Sequence, residues 1–86
     1  MTADPVSWFM IEPGWRVVDC DGDEAGTVTE VLGDAERDIF DGLALGLAVF
    51  SAPRYLASEH VTNIVEGFVQ VDLTTPELDR LDPYEE

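Results

Sequence analysis

The side chains with the clearest claim to chemistry lie in Asp19-Cys20-Asp21-Gly22-Asp23-Glu24-Ala25-Gly26-Thr27-Val28-Thr29-Glu30. Carboxylates at the first, third and fifth positions and a glutamate at the twelfth copy the ligand spacing of a helix-flanked calcium loop, where hard oxygen donors surround the ion. The glycine such a loop needs at its sixth position is Glu24 here, and glycine arrives two residues late. The flanks carry β-branched residues and no helical period. A specific calcium site is therefore not expected. The cation-binding alternative is weaker: Asp19, Asp21, Asp23 and Glu30 would hold a cation or small ligand in competition with salt. The leading reading of these acids is a solvated face.

Nucleophilic or acid–base catalysis has less to work with. His60, the sole histidine, needs a nucleophile or a carboxylate held against it. Glu59 is adjacent, but neighbours on an extended chain point to opposite faces. Cys20, the sole cysteine, sits between acids that raise a thiol's pKa and suppress the thiolate. It also excludes an internal disulfide and a multi-cysteine metal site. No catalytic residue and no cofactor is assigned, and the chain reads as non-enzymatic.

The elements that must position these groups read as strands. Asp21-Gly22 is a hairpin turn signal, because few residues accept positive φ cheaply. It joins a strand over 15–20 to a β-branched strand over 26–32. A polar turn over 33–38 leads to a third strand over 39–50. There Leu43, Leu45, Leu47 and Val49 form a large-residue face, alternating with Ala44, Gly46 and Ala48. Short strands follow at 54–57 and 62–65, with a helical turn or corner at 58–61, and a last strand spans 68–73. Thr75 reads as the N-cap of a short helix through Leu78 and Leu81, with Pro76 and Glu77 suiting its first turn. Residues 82–86 read as a loose tail. The fold class is all-β: a small, strongly curved β-barrel of five to six short strands with a short C-terminal helix. Residues 1–13 form a lead-in, 14–73 the barrel domain, and 74–86 the helix and acidic tail.

Composition narrows the partners. The 86 residues include 19 acids against 4 arginines and no lysine, a net charge of −15. Phosphate binding needs clustered cations, and the arginines are scattered, so nucleic acid is excluded as a partner. Anionic membrane surfaces are disfavoured for the same reason, and no apolar run nears the ~20 residues of a span. The first residues lack the basic and apolar regions of a secretory signal, so a cytoplasmic location is expected. The excess acid also fits salt adaptation. Self-repulsion is screened over about 30 Å at 0.01 M salt but about 3 Å at 1 M. The thermal midpoint is therefore expected to rise as sodium chloride goes from low to molar concentration. Thermal scans at each salt check this, and a flat or falling midpoint would remove self-repulsion as a significant term.

The order of elements resembles the PRC-barrel family. The resemblance rests on Gly14-Trp15-Arg16-Val17, Asp21-Gly22, Gly26 through Val31 and Asp34. It continues through an apolar third strand, then Tyr55 through Ile64, then Phe68 through Leu73. Members include the cytoplasmic domain of the photosynthetic reaction centre H subunit, the C-terminal domain of a ribosome maturation factor, and small stand-alone bacterial and archaeal proteins. The resemblance implies a β-barrel that works by protein–protein contact and has no catalytic residues to transfer. The apolar stretch 46–53 departs from the loop expected there.

Alternation fills the expected core with Val17, Val28, Val31, Leu43, Leu45, Leu47, Val61, Ile64, Val69 and Val71. Val6, Trp8, Phe9, Met10 and Ile11 are then apolar surplus, and an apolar patch rimmed by acids marks an interface. Trp8 and Phe9 are consecutive, so a regular strand cannot bury both on one face, and one of them either covers the barrel opening of its own chain or joins an interface. On the interface reading, these five are the expected contact residues of an interaction or scaffold module that binds a protein partner or forms a homodimer.

Overall fold

A computed structural model describes residues 7–34, 36–47 and 52–84 of the chain. A one-turn 3-10 helix, Trp8–Met10, precedes six strands: β1 (Arg16–Val18), β2 (Glu24–Asp34), β3 (Ile39–Gly46), β4 (Arg54–Ala57), β5 (Val61–Val65) and β6 (Phe68–Val71). A second 3-10 turn, Ser58–His60, joins β4 to β5, and one short helix, α1 (Thr75–Leu78), follows β6. The strands form a single sheet in the order β4-β3-β2-β1-β6-β5. Neighbours run antiparallel except β1 and β6, which pair in parallel with Val17 opposite Val69.

The connection between the two edge strands dictates the shape of this sheet. Six strands laid flat would hold their edges about 24 Å apart, at roughly 4.8 Å per step. The link from Ala57 to Val61 passes through only Ser58–His60, and so short a run reaches about 14 Å even when fully extended. The sheet must therefore curl until its two edges approach at this corner. No ladder joins β4 to β5 among the described residues, so chain connection rather than hydrogen bonding brings the edges together.

Curling gives the sheet an inside. Val17, Val28, Leu43, Leu45, Leu56, Val69 and Val71 are buried there, and Val31, Leu47, Val61 and Ile64 pack partly buried against them. The flanking segments contribute to the same core: Ile11 ahead of β1 and Leu78 on α1 are both buried. Ile11 is thus a core residue and not the contact residue expected from its place in the apolar surplus. A 3-10 helix has three residues per turn, which eclipses positions i and i+3. Trp8 and Ile11 therefore share the inward side, and Phe9 and Met10 the outward one.

Two further expectations are corrected. Thr74, not Thr75, is the N-cap of α1. Its hydroxyl accepts from the Glu77 N–H at 3.3 Å, and the Glu77 carboxylate accepts from the Thr74 N–H at 3.0 Å, a reciprocal cap. Residues 82–84 are not a loose tail. The Tyr55 N–H donates to Asp82 at 2.9 Å, the Tyr84 N–H to Pro53 at 2.7 Å, and the Arg54 guanidinium to Leu81 at 2.9 Å. The segment occupies backbone groups on the outer edge of β4 that would otherwise stay open. Finally, β3 is described only to Gly46; its expected continuation through Ala48, Val49 and Phe50 lies outside the described residues, as does Val6.

Candidate interaction surface

The acidic turn is built as a structural joint. Gly22 takes φ +89° at its tip, and the Gly22 N–H donates to the Asp19 carbonyl at 3.1 Å. Asp19 is 2% exposed. Its Oδ1 accepts the N–H groups of Asp21 at 3.0 Å and Asp23 at 2.9 Å, and its Oδ2 accepts the Thr75 hydroxyl at 2.6 Å. The Thr75 hydroxyl first, then the Asp23 and Asp21 N–H groups, hold the Asp19 carboxyl below the ordinary carboxylate range, against desolvation, which acts the other way. This carboxylate closes its own hairpin and fastens the start of α1 to it.

The four carboxylates of the cation alternative are not assembled. Asp19, Asp21 and Asp23 share the turn, but Glu30 faces Ala44 of β3, while Glu24 is the β2 residue opposite Val18. That separation is about 20 Å along the strand. Both oxygens of Asp19 are also engaged within the protein. No group of three or more histidine, cysteine or acidic side chains among the described residues is disposed to hold a metal ion.

Cys20 is exposed beside this turn. Local desolvation of its thiol, then the charges of Asp21 and Asp19, push its pKa up. His60 has a partner that its neighbours in sequence do not reveal. Val61 pairs with Val71, so His60 falls opposite Asp72, and Nδ1 lies 2.9 Å from Oδ1. Among the described residues, one open groove is lined by Thr29, Glu30, Pro53 and Tyr84, and another includes Arg16, Glu24, Phe68 and Gln70. Neither holds His60 or Cys20.

The apolar lead-in makes a defined surface. Trp8 is half-buried. Its ring stacks on Phe40 of β3 at 5.3 Å and on Phe9 at 4.5 Å between centroids. Its indole N–H donates to Asp38 Oδ1 at 3.0 Å. The ring lies where a side chain on Gly33 would project: a Cβ there would come within 3.1 Å of it and collide with the Ile39 carbonyl oxygen. Glycine at 33 is required first by the close Ile39 carbonyl, and its missing side chain also leaves room for the indole against the β2–β3 hairpin. Trp8 is thus an internal anchor. Phe9, at 49% exposure, and Met10, at 54%, form a ledge held by it.

The hairpin tip beneath the ledge is acidic. Asp38 adopts φ +53°, the left-handed region where few non-glycine residues sit. Asp34 Oδ1 accepts the N–H groups of Glu36 at 3.1 Å and Arg37 at 3.4 Å, and the Arg37 side chain folds back to Asp34 Oδ2 at 3.5 Å. Ile39, 52% exposed, precedes the inward Phe40 and alternates to the other side of β3. Sequence reasoning found Trp8, Phe9 and Met10 but missed Phe40, Gly33 and Asp38, which fix the ledge. Gly33 reads as the start of the polar turn, whereas β2 runs on through it to Asp34.

No protein-family model matches the chain, and no curated protein matches it either. No helix among the described residues is long and apolar enough to cross a membrane.

Proposed function

We propose that this protein is a non-enzymatic interaction or scaffold module that uses the Phe9–Met10 ledge to contact another protein. The curled six-stranded sheet serves as an acidic, PRC-barrel-like support, with a cytoplasmic setting. One observation carries the reading. Two large apolar side chains are about half exposed, although the residue between them and the core, Trp8, is fixed by a stack, a hydrogen bond and a close glycine. Phe9, stacked on the fixed Trp8, is oriented in advance and loses little conformational entropy on binding, which favours association.

Site-specific crosslinking tests the ledge whatever the identity of the partner. A photo-crosslinking phenylalanine analogue is placed at Met10 and, as a control, at Glu66, an exposed turn residue. Irradiation in an extract of the source cells is expected to yield discrete adducts from position 10 and none of the same mass from position 66. An identical smear from both positions, or no adduct from either, would overturn the assignment of the ledge.

A further inference from the structure

We infer that the ledge docks a cationic segment of another protein, a short stretch with an aromatic or aliphatic anchor flanked by arginine or lysine. The inference rests on the interaction-module reading and identifies the chemistry of its partner.

Three observations select this occupant. The first is area. Phe9 and Met10, each about half exposed, present on the order of 200 Å² between them, from a full side-chain area of roughly 200 Å² each. A stable dimer needs about 800 Å² per partner. The ledge suits one or two anchors of a short segment. Met10 adds an unbranched, polarizable side chain that adapts to different anchor shapes.

The second is charge around the ledge. Asp34, Glu36 and Asp38 occupy the hairpin tip that holds Trp8, and Arg37, the one base there, is turned onto Asp34. Cations flanking an apolar anchor meet this rim with complementary sign, and the exposed face of Phe9 attracts a guanidinium or ammonium group in addition.

The third is exclusion of a second copy. Each chain carries −15, so two ledges brought face to face would oppose their acidic rims. The two occupants differ in the sign of their salt dependence. Salt weakens capture of a cationic segment by screening attraction, and strengthens self-association by screening repulsion.

Short fluorescein-labelled peptides test this by anisotropy. One has a Trp-Leu centre flanked by arginines, a second replaces those arginines with glutamates, and a third is an arginine oligomer of the same charge without the apolar centre. Binding is expected for the first alone, weakening as salt rises. Phe9→Ser with Met10→Ser is expected to weaken it about tenfold or more, as removal of an interface anchor does. Both residues are half exposed, so the variant should keep its fold, checked by circular dichroism. Glu36→Gln, at an exposed tip residue whose side chain makes none of the contacts that hold Trp8, leaves the ledge in place and should lower both affinity and the steepness of the salt dependence.

Equal binding of the arginine oligomer, unaffected by Phe9→Ser with Met10→Ser, would overturn the proposal in favour of diffuse charge. Self-association that grows with salt and is lost in that variant would overturn it in favour of a second copy. Discrete crosslinks from position 10 without binding of any basic peptide would overturn the cationic occupant alone. Loss of both crosslinks and peptide binding would defeat the interaction-module reading as well.

Discussion

Truncating Leu43 to alanine is expected to destabilise the domain by about 2–5 kcal/mol, the range for a large-to-small change in a packed core. Leu43 is fully buried near the centre of the sheet, paired with Val31 on β2 and Leu56 on β4. Its methyl groups have no other element that can move in to fill the space, because β3 is held by ladders on both sides. A chain of 86 residues carries roughly 4–13 kcal/mol of total stability, at about 0.05–0.15 kcal/mol per residue. The loss is thus a large share of the whole, and the variant is best measured in high sodium chloride, where self-repulsion is screened. Urea denaturation reads the change, with Glu66→Ala at an exposed turn as a control expected within about 0.5 kcal/mol of the parent. A Leu43→Ala loss below about 1 kcal/mol would mean that the core is looser than its burial indicates.

Loss of the Asp19 carboxylate should be the most damaging single change among the acids, and its effect should depend on pH. The folded state holds the Asp19 pKa below its ordinary value of 3.8. A carboxyl whose folded pKa is depressed stabilises the fold above its unfolded pKa and loses that contribution as pH falls through the folded pKa. Asp19→Asn is therefore expected to lower the urea midpoint at neutral pH. The gap between parent and variant should narrow progressively once pH drops below about 4. Glu77, lowered by the Thr74 N–H and hydroxyl, acts in the same direction and in the same window. Acid also relieves the net negative charge, which works the opposite way on both proteins. The difference between them, not either midpoint alone, isolates Asp19. A gap that stays constant from neutral pH to pH 3 would show that the carboxylate contributes shape rather than charge. Thr75→Val should reproduce part of the loss, since it removes the shortest of the three bonds.

The buried, hydrogen-bonded role of Asp19 illustrates why the site was only partly readable. Aspartate ahead of a tight turn bonds its own backbone two residues on, so the bond to Asp21 is a local one, although the acids of this turn read as a solvated face. Thr75 is 56 residues away, and nothing local announces that pair. The same holds for His60 and Asp72, which only the β5–β6 register brings opposite one another.

What the residues determined on their own was local. Glycine at a positive-φ turn, β-branched runs and strict alternation at Leu43 and Leu45 specify extended chain whatever surrounds them, because sterics and period-two burial act over a few residues. Net charge likewise follows from counting. Tertiary structure decided how the strands are ordered, with β1 beside β6 and the edge strands drawn together by three residues. It also decided which apolar surplus stays outside. Trp8 to Ile11 looked uniformly apolar, yet one 3-10 turn sent Ile11 to the core, pinned Trp8 on Phe40 and Asp38, and left Phe9 and Met10 about half exposed. That division depends on a hairpin some 25–30 residues further along the chain. Burial is a property of what packs against a residue, and for long-range neighbours that is set by the assembled fold.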